Sequence, residues 1–163
     1  MSLACLDIET SWESTITIIG IYRQGEGTVQ LIAPDISRRK LLDALEGVTL
    51  LYTYNGARFD LPVIEQWLGV NIAAQVTHQD LMHACWKRKL KGGLKSVERQ
   101  LGIHRDSEGV DGLQAMKLWA AHQRGNAEAL EILLRYNRED CENLEILARK
   151  LGILPTPATP QLS

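Results

Sequence analysis

The sequence predicts an α/β domain: a mixed β-sheet, with its first three strands antiparallel, flanked by α-helices. Three observations carry this. Strand-like runs occupy the first third of the chain and are joined by short turns. A further strand precedes a helix in the middle. From Leu81 onward the pattern is almost wholly helical. The 163 residues, 45% of them hydrophobic, suit one core in one domain. That domain is expected over residues 1–153, followed by a disordered tail over residues 154–163, where Pro155, Pro157 and Pro160 interrupt any periodicity.

The elements follow in order. Leu3 to Ile8 is a compact apolar run that fits a buried strand. Thr15 to Tyr22 is rich in β-branched residues, and Thr28 to Ala33 follows the Gly25-Glu26-Gly27 turn. Ser37 is placed to cap a helix over Arg38 to Leu45. Val48 to Tyr54 is the next strand. Arg58 to Leu68 predicts a helix, with Pro62 tolerated near its first turn. Residues 74–79 suit a short strand. Helices are then expected over Leu81–Leu90, Leu94–Leu101, Asp111–Gln123 and Ala127–Leu151. Gly92-Gly93 separates the first two and Gly152 follows the last. Asp80 is placed as an N-cap.

There is no apolar run of about 18 residues, so no transmembrane helix is expected. No basic segment with an apolar stretch behind it opens the chain, so no signal peptide is expected. Cys5, Cys85 and Cys141 form no Cys-x-x-Cys pair and suit reduced thiols in a cytoplasmic protein. The formal net charge is −2, but residues 87–99 hold six basic side chains against Glu98 alone. Such a strip is most often a solvated helix face; beside a metal-neutralised pocket it would also suit a polyanion.

Four carboxylates stand out. On a strand, residues i and i+2 share a face, so Asp7 and Glu9 project together while Ile8 points away. On a helix, residues i and i+4 share a face, so Tyr136 and Asp140 project together. Asp60, at a loop-to-helix boundary, can enter from the side. Two carboxylates about 5 Å apart repel by roughly 3 kcal/mol at an effective dielectric near 20. A cluster of four therefore calls for cations, protons or separation, and oxygen-only ligands favour hard ions such as Mg²⁺ or Mn²⁺. Each motif alone is common: Asp-x-Glu is usually a strand end meeting water, and Asn55-Gly56 is first a turn signal. Their order along one chain is far more specific.

That order resembles a known family. Leu6-Asp7-Ile8-Glu9-Thr10 is similar to the first motif of the DEDD superfamily of 3′–5′ exonucleases, and Tyr54-Asn55-Gly56 through Phe59-Asp60 to the second. Tyr136-Asn137-Arg138-Glu139-Asp140 is similar to the third in its tyrosine-bearing form. Together with Leu94-Lys95-Ser96-Val97-Glu98, the last motif further resembles the YprB-like, RNase H-related branch. The resemblance spans about residues 3–152 and implies an RNase H-like fold with two divalent cations, Mg²⁺ or Mn²⁺. It implies Asp7, Glu9, Asp60 and Asp140 as metal ligands, and Tyr136 as the residue that orients the attacking water. Thr10, Asn55, Phe59 and Lys95 are candidate substrate contacts, though Thr10 equally suits a plain strand end, Asn55 a turn and Phe59 the core.

The implied reaction is metal-dependent hydrolysis of terminal phosphodiesters, releasing nucleoside 5′-monophosphates. The implied substrate is single-stranded DNA or RNA with a 3′ end, with DNA slightly favoured. Two alternatives stand beside it: a non-catalytic nucleic-acid-binding module, and an endonuclease of the same fold. No motif points to a helicase or polymerase partner or away from one. The four histidines are expected in structural or surface roles, and Trp67, Trp86 and Trp119 in the core. Trp12, in the loop after the first motif, is the exception.

Overall fold

In the computed structural model, which describes residues 2–154, a five-stranded sheet has the order β3-β2-β1-β4-β5. The strands are β1 (Leu3–Thr10), β2 (Ile16–Arg23), β3 (Gly27–Ile32), β4 (Leu50–Thr53) and β5 (Thr77–Asp80). β1 pairs antiparallel with β2, and β2 with β3; β1 pairs parallel with β4, and β4 with β5. Six helices flank it: α1 (Arg38–Ala44), α2 (Asp60–Leu68), α3 (Leu81–Lys87), α4 (Leu94–Leu101), α5 (Gly112–Gln123) and α6 (Ala127–Lys150). The mixed sheet with three antiparallel leading strands is the architecture read from the sequence.

β1 is largely buried on both faces, which is why its first four residues, Leu3 to Leu6, are all apolar. Ala4, Leu6 and Ile8 pack with Leu41, Leu61 and Ile64 beneath α1 and α2. Leu3 and Cys5 pack on the other face with Leu81, Cys85, Val97, Leu144 and Leu147 from α3, α4 and α6. A third group joins Ile18, Ala115, Trp119, Leu133 and Tyr136 where α5 and α6 meet β2. Leu154, expected to open the tail, instead packs into the second of these groups; the rest of that tail, residues 155–163, lies outside the described residues.

Several boundaries differ from the sequence reading. α2 starts at Asp60 rather than Arg58, because Phe59 holds a non-helical backbone and its N–H closes a turn onto Asn55. The helix after Asp80 ends at Lys87 instead of Leu90, because Lys89 turns left-handed (φ +59°). The strand expected over 74–79 is shorter and later: a 3₁₀ turn over Ile72–Ala74 comes first, and β5 runs over Thr77–Asp80. Ser37 and Asp80 cap α1 and α3, accepting from the N–H groups of Lys40 and Met82. Trp119 is buried as expected, but Trp67 and Trp86 are about half exposed. α2 turns Leu61 and Ile64 inward, and α3 turns Leu81, Ala84 and Cys85 inward, which leaves those tryptophans on the outer faces.

Candidate active site

The site forms where β1 and β4 part. Their parallel pairing ends at Cys5 and Tyr52, so the last residues of β1 have no strand beside them on that edge. The N–H of Ile8, left without a strand partner there, donates to Asp60 Oδ2 at 3.0 Å. Asp60 thereby closes the sheet edge and delivers a carboxyl to the same place.

Asp7 and Glu9 share the β1 face that α6 covers. Asn137, on the α6 stretch between Tyr136 and Asp140, donates its amide to Asp7 O (3.3 Å) and Asp7 Oδ2 (3.2 Å). Its own Oδ1 accepts from Gln30 at 3.0 Å, tying β3 to the same point. This close approach requires Gly20, opposite Asp7 on β2. A methyl group there would overlap the Asn137 amide and come within 2.7 Å of Cys141 Sγ. α6 thus carries Asp140 onto β1, and one oxygen from each of Asp7, Glu9 and Asp140 lies within 4.8 Å of the others. Asp60 is not one of the three within that distance, but it lies close enough to add to the repulsion on Asp7 and Glu9.

The loop before Asp60 is held by Asp80. Its Oδ1 accepts from the N–H groups of Asn55 (2.8 Å) and Met82 (3.0 Å), and its Oδ2 from Ala57 (3.2 Å). Asn55 adopts the left-handed turn conformation (φ +62°) that shapes the turn before Asp60, and it lines neither of the two cavities beside the acids. Gly56 is required for a different reason: any side chain there would overlap Thr53.

Burial and mutual repulsion push the acids toward their protonated forms. Asp7 and Glu9 lie well above the ordinary carboxylate range, with burial the main cause and Asp140 next. Asp60 is pushed up to about 7 by burial, against the pull of the Ile8 N–H. Asp140 is raised to about 6: burial lifts it, while Arg105 and then Lys95 hold it back. Tyr136 is also pushed well up, by burial and then by Asp140, so its phenol keeps its proton. Lys95 donates from Nζ to the Tyr136 hydroxyl at 2.7 Å. The structure therefore engages Lys95 with the tyrosine, where the sequence suggested only a phosphate contact.

Two cavities flank the carboxylates. The larger, about 540 Å³, runs from Asp7, Asp140 and Tyr136 past Lys95, Arg99 and Gly93. The smaller, about 260 Å³, lies between Thr10, Glu9 and Phe59 on one side and Gly112 and Met116 on the other. Phe59 is 42% exposed and lines this smaller cavity, not the core. Trp12 is exposed in the turn after β1. The histidines have structural neighbours: His78 meets Thr53, His104 meets Asp106, and His83 and His122 lie against Trp86 and Trp119.

Sequence reasoning missed Arg105, Asn137 as a tether, and Asp80 as more than a cap. Arg105 is buried, with Nη2 2.7 Å from both Glu98 Oε1 and Asp140 Oδ1. The Asp140 contact is an ion pair rather than a well-aligned hydrogen bond, since Oδ1 meets no donor in good geometry. A lone arginine in a polar loop carries no sequence signal for such a place.

A family model described as the RNase_H superfamily matches residues 4–152. The chain belongs to that superfamily. Among solved structures, the family B DNA polymerase from the hyperthermophilic archaeon Pyrobaculum calidifontis has a similar fold, with a TM-score of 0.73 at 16% identity. The similarity covers 93% of this chain but only 24% of the polymerase, so the chain spans about a quarter of that protein. No curated protein matches. The RNase H-like fold is thus common to both, and it sets three acids of this chain around one point. Their donor set is all oxygen, drawn from β1 and α6, buried and mutually repelling, and it fits a hard divalent cation. Among the described residues no helix is long and apolar enough to cross a membrane.

Proposed function

We propose that this RNase H-superfamily chain is a divalent-metal-dependent 3′–5′ exonuclease of the tyrosine-bearing DEDD type, in the YprB-like branch. Its substrate is single-stranded nucleic acid, DNA slightly ahead of RNA. The observation that carries the reading is the convergence of Asp7, Glu9 and Asp140 beside Tyr136 at the floor of an open groove, with Asp60 close by.

Asp7, Glu9, Asp60 and Asp140 would hold two cations, Mg²⁺ or Mn²⁺, which would supply stabilisation of the charge on the attacking and leaving oxygens. Asn137 fixes the Asp7 carboxylate, and Asp80 fixes the loop that presents Asp60. Tyr136 keeps its proton and accepts a hydrogen bond from Lys95, so its own O–H is left to donate to the attacking water or a phosphate oxygen. It orients rather than abstracts. The smaller cavity receives the terminal nucleotide, with Thr10 near the 3′ hydroxyl and Phe59 offering a ring face. Such a stack contributes about 1–3 kcal/mol. Lys95 and Arg99 give the larger groove its positive charge for backbone phosphates.

The experiment is digestion of a 5′-labelled single-stranded oligonucleotide in Mg²⁺ or Mn²⁺. A ladder shortening one nucleotide at a time, with nucleoside 5′-monophosphate released, is expected. D7A and D140N should abolish it while remaining folded. Internal cuts would make the protein an endonuclease of this fold; binding without cleavage would make it a non-catalytic module.

A further inference from the structure

Burying a guanidinium is costly, and a buried Arg–Glu pair is by itself a weak source of stability. This chain nevertheless buries Arg105 with Glu98. Arg105 Nε lies 3.1 and 3.2 Å from the two Glu98 oxygens, and Nη2 lies 2.7 Å from Oε1. The same Nη2 lies 2.7 Å from Asp140 Oδ1. One nitrogen is therefore shared between a carboxylate of the acid cluster and a carboxylate outside it.

The segment carrying Arg105 is fastened to α6. Glu139 accepts from the N–H groups of Asp106 (2.6 Å) and Ser107 (2.9 Å), and Asn143 donates to His104 O (3.3 Å) and to Glu98. The backbone on both sides of Arg105 is thus held to α6, and its guanidinium stands between the two acids, with Nη1 3.5 Å from Ser107 Oγ.

We propose that Arg105 is a tethered cation that competes with divalent metal for Asp140, and that Glu98 sets how strongly it competes. The inference rests on the metal-dependent reading above. Arg105 acts through Asp140 and is a positioning residue. A guanidinium and a metal ion on one carboxylate repel each other and draw on the same charge. Glu98 moderates the competition by engaging the guanidinium from the other side.

The two members of the pair then act on metal affinity with opposite signs. The test is isothermal titration of the full chain with Mn²⁺ alone, without nucleic acid, at pH 7.5. In E98Q the guanidinium is left to Asp140, and Mn²⁺ binding weakens by roughly tenfold. In E98Q/R105Q the guanidinium is gone and Lys95 alone remains as a cation near Asp140, and Mn²⁺ binding becomes roughly tenfold tighter than wild type. A purely fold-supporting pair would weaken binding in both variants.

Unchanged or tighter binding in E98Q, or unchanged or weaker binding in E98Q/R105Q, overturns the proposal when thermal melting shows the variant folded. Either variant carries this test if the other fails to fold. A wild-type chain that binds no Mn²⁺ would overturn the proposed function and this inference together. Normal wild-type binding with unmoved variants overturns this inference alone.

Discussion

Asp60→Asn should stabilise the metal-free protein at neutral pH while removing its activity. Asp60 is raised from 3.8 to about 7. The folded state therefore holds a proton that the unfolded chain has already released, and stability falls as pH rises between those two values. Each pH unit in that window costs about 1.4 kcal/mol. About 3 kcal/mol is thus lost between pH 5 and pH 7, and on the order of 4 kcal/mol over the whole window.

Asparagine has no proton to release, and its amide oxygen can still accept from the Ile8 N–H that Asp60 Oδ2 now engages. The gain of D60N over wild type should be about 1 kcal/mol near pH 5 and grow by about 3 kcal/mol by pH 7, then level off. For a chain of this size that is a Tm difference of roughly 10 °C. The assay is thermal unfolding in EDTA from pH 5 to pH 8, followed by the same series with Mn²⁺. Mn²⁺ should raise the wild-type Tm more at pH 8 than at pH 5.5, because the ion must displace protons at the lower pH. A D60N Tm difference that is flat across this range, or that shrinks as pH rises, would refute the electrostatic account of the cluster.

Three further outcomes are expected. Gly20→Ala should cost about 1–3 kcal/mol in urea unfolding, because the added methyl meets Asn137 and Cys141 where α6 crosses β2; it should also weaken Mn²⁺ binding by moving Asp140 away from Asp7. Asp80→Ala removes the acceptor of three N–H groups and should cost about 2–4 kcal/mol, with hydrogen exchange quickening in residues 54–60 before the rest of the chain. Tyr136→Phe and Lys95→Met should each lower kcat more than they raise KM, and the double variant should lose little beyond the worse single one, since Lys95 acts on the tyrosine hydroxyl; fully additive losses would separate the two residues.

Much of this protein is legible without its structure. Strand and helix periods are local, so β1, β2 and β3 and the six helices follow from apolar spacing and turn residues. The same periods pair Asp7 with Glu9 and Tyr136 with Asp140, since i+2 on a strand and i+4 on a helix are fixed by backbone geometry. Ser37 and Asp80 were readable as caps because capping is a contact between near neighbours. The boundaries at Asp60 and Lys87 depart from the sequence reading because a non-helical Phe59 precedes α2 and a left-handed Lys89 follows α3, with no proline or glycine at either position to announce them.

What the tertiary structure alone decided is which distant groups touch. Gly20 and Asn137 are 117 residues apart, and their fit sets the crossing that brings Asp140 to Asp7. Asp60 reaches Ile8 only because β4 ends short of it, and Phe59 is exposed beside the acids because α2 begins one residue later. Arg105 gives no sign in the sequence, since its place depends on Glu98, Glu139, Asn143 and Asp140 converging from two helices. Local order is written in the chain because it depends on neighbours; charge balance at the site is not, because Coulomb interaction depends on distance in space, and only packing of the whole domain sets that distance.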